Sequence, residues 1–484
     1  MRFLPTLCVL LFGLGVIRAG YCQPSFQYSP ANYSAEGAPV QQYLAQAHQK
    51  ELAALPKRYR SELEKIYKDR HEHLTGSLRE EQFIFSPLYT GYFDGVLAEI
   101  RRANPQLGSQ SVHLLVSRDP TPNATCLGNG IITFTIGLLR RVENDSQVAF
   151  VLCHELAHQH LGHVQQSIQQ YVEKQNNANT RREIERIAAS ENRRVEQATG
   201  LLRSLVYEHT RYSRIYETAA DSLALVYLKN TRYNPQEALR VLALLDTVDR
   251  SKYPGPLDLK PVFDSPAYPF RDAWLQASPM LKIEGKKDNA WHEDSLKTHP
   301  DCTRRTALLK NQLGAAAATG KENFVQQGEV LAGLIRQSDF ELVQSEFDAR
   351  RYAQCVQESL LLLGHYPGNV YLQATIGKCF YHLYKAQQNH ELGKYVPLPS
   401  ARQSPMQRQM LDFIHNLRLR EIAAVGYYFL KKSPAAHASD EDFLYALAQL
   451  GNLVEPGPAA KALQDDYLRR FPDGKYAQDI QSIH

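Results

Sequence analysis

Gln147-Val148-Ala149-Phe150-Val151-Leu152-Cys153-His154-Glu155-Leu156-Ala157-His158 is the stretch on which the reading of the chain turns. Val148, Leu152 and Leu156 recur at helical spacing and give the segment one apolar face. Asn144, followed three residues later by Gln147, is a weak capping box that starts the helix. On that helix His154 and His158 are separated by about 400° of rotation, so both imidazoles leave one face, one turn apart. Such a pair can grip a single zinc ion, and Glu155 beside it can take a proton from metal-bound water.

Zinc needs a third protein ligand and one open position. One known arrangement requires glycine at 161 and histidine at 164, where Leu161 and Val164 stand. His160 and His163 are rotated off the ligand face and read as exposed polar residues. The other arrangement takes a glutamate from a following helix with an aspartate one turn later. Glu217-Thr218-Ala219-Ala220-Asp221 supplies it: Glu217 as the third ligand, and Asp221 as a carboxylate fixing the far nitrogen of a ligating histidine. The expectation is one zinc per chain.

Working outward, 484 residues are too many for one ordinary core, so two or three domains are expected. With 43% hydrophobic and 22% charged residues the composition is that of a globular protein, and a net charge of +4 without a basic stripe argues against nucleic acid. Residues 1–22 read as a signal peptide: Met1-Arg2, an uncharged apolar run from Phe3 to Ile17, then small Ala19 and Gly20. That run is shorter than the roughly 20 residues a membrane span needs. Tyr21 is too bulky for lipid attachment at Cys22, and no second run of spanning length follows. The mature chain is expected without a transmembrane segment, secreted across the inner membrane to a periplasmic or otherwise extracytoplasmic site. Cys126, Cys153, Cys302, Cys355 and Cys379 remain, with no pair at zinc-ribbon spacing.

Residues 23–80 read as a leader and a charged helical stretch from Gln41 to about His73. Residues 81–320 hold a helix over 87–102, strands at Ser111–Val116 and Ile131–Ile136, the turn Gly128-Asn129-Gly130 and the metal helices. A polar insertion over 164–209 reads as one or two exposed helices, either a solvated hairpin or a lid. The proline-rich stretch 251–300 reads as irregular loop, long enough to suspect a covering segment. From 339 to 484 the texture is of paired amphipathic helices. Tyr366-Pro367-Gly368-Asn369, Gly377 and Phe380-Tyr381 make it a degenerate tetratricopeptide-like repeat region. The fold class is α+β, mainly α.

These blocks resemble the HtpX-like and CAAX-prenyl-protease-like zinc metallopeptidases, most closely their soluble, periplasmic, BepA-like members with C-terminal tetratricopeptide repeats. The resemblance lies in Asn123-Ala124 through Gly130-Ile131 to Gly137-Leu138-Leu139, in the zinc helix, in Ser213-Arg214 with Glu217 and Ala220-Asp221, and in Thr298-His299-Pro300 with Arg305. It implies a zincin-type domain that hydrolyses peptide bonds within polypeptides. His299 would lie near the metal, either covering the zinc or stabilising the oxyanion. Arg214 and Arg305 would pair with site carboxylates, steady the transition state or form surface salt bridges. The strand Gly130-Ile131-Ile132-Thr133-Phe134 is expected to present an edge to extended substrate. Cys126 and Cys302 would flank the cleft and form a disulfide, with Cys355 and Cys379 the competing pair. The repeats would bind an envelope partner or unfolded clients. The rival reading is a chaperone or assembly factor whose zinc site is mostly shut; an esterase is disfavoured.

Overall fold

The computed structural model describes residues 26, 28, 37–108, 111–177, 182, 214–246, 257–277, 302–314, 320–400 and 403–482. The charged N-terminal stretch forms two helices, α1 (Ala38–Ala54) and α2 (Arg60–Arg79). The break is at Leu55-Pro56, where the proline forces its predecessor into extended backbone (ψ 136°).

Four strands follow: β1 (Phe83–Ile84), β2 (His113–Ser117), β3 (Ala124–Gly128) and β4 (Ile131–Thr135), with α3 (Pro87–Ala103) between the first two. They form one sheet in the order β1-β2-β4-β3. β2 and β4 run parallel, and the outer strands are antiparallel to their neighbours. Asn129 (φ 46°) and Gly130 (φ 84°) close the β3–β4 hairpin in the doubly left-handed geometry that suits the twist of paired strands. Gly130 has a second constraint, because a Cβ there would sit 2.2 Å from the Ser111 carbonyl oxygen.

This order corrects the expectation for Gly130–Phe134. β4 is paired on both sides, so Ile131, Ile132, Thr133 and Phe134 offer no edge; the outer strand on that side is β3. Burial gives the reason. Ile131 packs with Leu44 and Leu74 of the α1–α2 hairpin, whereas Ile132 and Phe134 pack with Phe93, Val96 and Leu152 on the opposite face. A strand covered on both faces reads as a continuous apolar run and belongs in the sheet interior.

After β4 come α4 (Ile136–Leu139), α5 (Asp145–His160) and α6 (His163–Gln175). A further helix, α7, is described over residues 214–230, followed by α8 (Glu237–Leu245) and α9 (Cys302–Leu313). The next helix, α10 (Gly328–Asp348), runs through the position at which the sequence texture changes. Its Leu331, Leu334 and Leu342 lie in the core around α5, and its Phe340 and Val343 in the core of the helices beyond. Buried ion pairs mark the seam: Arg140 to Asp339 at 2.5 Å and Arg118 to Glu341 at 3.2 Å.

Beyond the seam the chain is helical, with α11 (Tyr352–His365), α12 (Val370–Gln388), α13 (Pro405–Asn416), α14 (Leu419–Lys431), α15 (Glu441–Val454) and α16 (Pro458–Arg470). α12 and α14 approach closely at two glycines: a Cβ on Gly377 would meet Leu430 at 2.6 Å, and one on Gly426 would meet Phe380 at 2.6 Å. The described part of the proline-rich stretch, 257–277, departs from its reading as a covering segment. Phe263, Phe270 and Trp274 are buried with Phe380 and Phe413 in the helical core. Aromatic rings of that size bury more surface by joining this core than by staying over a cleft.

Candidate metal centre

α5 is fixed before it reaches its histidines. Asn144 caps it, accepting from the Gln147 amide at 3.1 Å. Asp145 accepts from the Tyr92 hydroxyl at 2.8 Å and from the amides of Val325 and Gln326 at 3.0 and 2.7 Å. Two turns on, His154 and His158 leave the same face with their Nε2 atoms 3.1 Å apart. α7 lays Glu217 across them: its carboxylate oxygens lie 3.4 Å from His154 Nε2 and 3.3 Å from His158 Nε2. One donor atom from each of the three residues falls within 4.8 Å of the others.

One turn after Glu217, Asp221 Oδ1 sits 3.0 Å from His154 Nδ1. It orients the ring, and would keep the proton on Nδ1 when Nε2 gives its lone pair to a metal. Arg305 of α9 locks Asp221 with two bonds, 2.7 and 2.8 Å, and reaches Glu217 at 3.2 Å. The four residues His154, Glu217, Asp221 and Arg305 are all at most 4% exposed. Burial alone lowers the His154 pKa, but its bonds to Asp221 and Glu217 outweigh that and bring it up to about 10. Burial pushes the Asp221 carboxyl up, and Arg305 and His154 more than reverse it. Two imidazole nitrogens and a carboxylate oxygen, converging with one ring already oriented from behind, fit zinc's donor preferences.

Glu155 points elsewhere. Its Oε2 accepts from the Cys126 amide of β3 at 2.6 Å. The Thr135 amide donates to Asn123 O, which makes 123/135 a hydrogen-bonded pair and turns the main-chain groups of Ala124 and Cys126 away from β4. The outer edge of β3 therefore faces the Glu155 end of α5.

Residues 94–313 match the family model described as peptidase family M48. This part of the chain belongs to family M48. The match begins within α3, ends at the last residue of α9, and encloses every residue of the centre. No curated protein matches the chain. The M48 domain identifies a zinc metalloprotease, a hydrolase of peptide bonds, and its small sheet with mainly helical surroundings agrees with the expected α+β class.

Other sequence expectations fare unevenly in this M48 domain. His163 is not an exposed polar residue: it is buried, its Nδ1 is 3.0 Å from His158 Nδ1, and its ring stacks on Tyr216 at 4.4 Å. Gly162, at φ 66°, ends the rotation of α5 and re-aims the chain, so counting helical turns through it misplaces His163. Burial, then His158, pushes the His163 imidazole down to about 4, so it is neutral and can accept the His158 Nδ1 proton. Arg214 is exposed at the start of the described part of α7. His299, most of the 164–209 insertion and the side chain of Cys302 lie outside the described residues. Cys126, Cys355 and Cys379 are free thiols, against both disulfide expectations. The Cys126 sulfur is aimed at Gln159 Oε1, 3.3 Å away, which accounts for its placement. Periodicity gave no sign of β3, of the Cys126 amide or of His163; only Gly162 hinted that the helical phase is reset.

Proposed function

We propose that the chain is an endopeptidase acting on extended polypeptides, with one zinc held by His154, His158 and Glu217 and with Glu155 as general base. The observation that carries this reading is Glu155 itself, which lies beside the ligand triad yet is anchored to the β3 edge at 2.6 Å. Zinc in the triad would supply Lewis acidity, polarising a carbonyl and lowering the pKa of water. Glu155 takes the proton from the attacking water and hands it to the amine nitrogen as the C–N bond breaks. An extended substrate adds alongside β3 through main-chain hydrogen bonds along that strand's outer edge, beyond the Cys126 amide that Glu155 holds. Asp221 and Arg305 hold His154 and Glu217 in place, and His299 either covers the metal or serves the oxyanion. Activity on casein should fall by roughly 10²–10⁴ in Glu155→Gln while zinc content is unchanged. Equal activity of the two proteins would remove Glu155 as the base.

The same proposal places the enzyme outside the cytoplasm, acting on misfolded or unassembled envelope proteins that the C-terminal helices, read as tetratricopeptide-like, help to recruit. The apolar run at 3–17 supports secretion, and among the described residues no helix is long and apolar enough to cross a membrane. A second reading, a chaperone with a mostly closed zinc site, draws support from burial: His154 and Glu217 are each only 4% exposed and Glu155 2%. Suppression of client aggregation that survives Glu155→Gln would favour it.

A further inference from the structure

Phe26 and Tyr28, upstream of α1, are seated on the helices at the seam. Both rings meet Phe340 of α10, Phe26 with centroids 4.9 Å apart and Tyr28 at 5.6 Å. Tyr28 also packs edge-on against Tyr371 of α12 at 4.6 Å, and Tyr366, between α11 and α12, closes on Phe340 at 5.4 Å. The Arg336 guanidinium lies over the Phe26 ring at 5.7 Å, within reach of a cation–π attraction. Tyr28 is buried and Phe26 half-buried. The main chain is held as well. Asn369 caps α12, its side-chain oxygen accepting from the Leu372 amide at 3.1 Å, and its Nδ2 donates to the Phe26 carbonyl oxygen at 2.8 Å. The cap orients that amide before anything binds, so the donor is preorganised. Side chains two residues apart share one face of an extended backbone, which is how two rings of one segment reach Phe340. Pockets for alternate side chains beside a bond to the main chain are the means by which a groove reads an extended peptide.

We propose that this groove between α10 and α12 binds extended segments of client polypeptides that carry two aromatic residues separated by one other, and that Phe26 and Tyr28 occupy it in cis until a client displaces them. The inference rests on the reading that the C-terminal helices recruit unfolded clients, and it adds the place and the chemistry. Aromatic rings are the largest apolar surfaces a core takes up, so unfolded chains expose such pairs and folded ones bury them. A client must also outcompete a tethered rival, which keeps weak binders out. α10 carries Phe340 in the helical core and Leu331 and Leu334 in the core around α5, so a client in the groove is held on the helix that enters the M48 domain.

The test titrates a fluorescein-labelled peptide with the sequence of residues 23–32 against the full chain, wild type and Phe26→Ala with Tyr28→Ala, by fluorescence anisotropy. The double variant should bind the peptide at least about tenfold more tightly than wild type, whose tethered segment competes. A peptide with serine in place of both aromatics should not bind. Reduced, unfolded casein should bind the double variant more tightly than wild type and be displaced by the unaltered peptide. Melting temperature is measured for both proteins; if the double variant fails to fold, Phe26→Ala, which removes only the half-buried ring, decides alone. Absence of peptide binding to the variant, equal binding to variant and wild type, or equal binding of the serine peptide overturns the inference. Casein that binds but is not displaced by the peptide also overturns it, and leaves recruitment elsewhere on the helices intact. Casein bound by neither protein overturns the recruitment reading and this inference with it.

Discussion

The M48 domain and the helices beyond it bury charge for opposite purposes. Around α5, His154, Glu217, Asp221 and Arg305 are nearly inaccessible and converge on one point. Their chain of pairs runs from Arg305 through Asp221 to His154 and stops at imidazole nitrogens and a carboxylate within 4.8 Å of one another, a set that favours a cation. In the helical region the centre is aromatic and aliphatic, with Phe263 packed on Phe380, Phe413 and Phe429. At the seam its buried charges are paired side chain to side chain, Arg140 with Asp339 and Arg118 with Glu341. A desolvated charge is tolerated only where something neutralises it. At the seam a side-chain partner does so and the result is alignment; at the centre Arg305 serves both Asp221 and Glu217, and under the proposed function a metal would join the set.

The strongest way to break this contrast is to remove the donor that closes the triad. Glu217→Ala should lose zinc on dialysis, with metal affinity down by more than about 100-fold, since even outer partners of a ligand are worth 10–100-fold. Zinc content unchanged in that variant would put the third ligand elsewhere. The seam should respond in stability instead. Arg140 is 8% exposed, and Arg140→Ala takes from buried Asp339 its cationic partner at 2.5 Å, at a cost of about 3–5 kcal/mol in urea unfolding. Its zinc content should be unchanged if the seam aligns the two regions and does no more.

His163 sharpens the contrast at smaller scale. His163→Phe keeps an aromatic ring for Tyr216 but removes the nitrogen that faces His158 Nδ1 at 3.0 Å. If that contact fixes the His158 tautomer, zinc affinity in a chelator competition should fall about tenfold without a matching fall in melting temperature. An unaltered affinity would make His163 a packing residue.

What the sequence disclosed follows the same division. The triad was legible because two residues four apart on a helix need no tertiary information to share a face, and because Glu217 and Asp221 repeat that spacing. The edge strand was not legible. Thr125-Cys126-Leu127 has no distinctive period after Pro120 and Pro122, and strand order depends on β2 pairing with β4 across the hairpin. His163 was lost because one left-handed glycine resets the helical phase. In 257–277 the prolines suggested loop, while Phe263, Phe270 and Trp274 carried the opposite information, that so much aromatic surface must be buried.

The smallest effect expected is a difference in how the two regions titrate. In the helical region Asp442 receives Lys378 and the Tyr476 hydroxyl on one oxygen and Lys475 on the other, each at 2.6 Å. Burial raises its pKa, but these partners, Lys378 foremost, bring it down to about 2 from 3.8. A depressed carboxyl stabilises the fold fully above its unfolded pKa and loses that contribution as pH falls through the folded one. The window is therefore pH 4 to 2, and the loss about 2 kcal/mol at most. In the metal-free M48 domain the sign reverses. His154 is raised to about 10 from 6.5, so its contribution is complete below 6.5 and fades as pH rises through 10. Urea unfolding of the metal-free chain against pH, compared with Asp442→Asn, separates the two. The variant should lose the acid-side decline that Asp442 contributes and keep the alkaline one. A variant whose acid limb matches wild type would mean that the Lys378–Asp442–Lys475 cluster is solvated surface charge with no hold on the helices it joins.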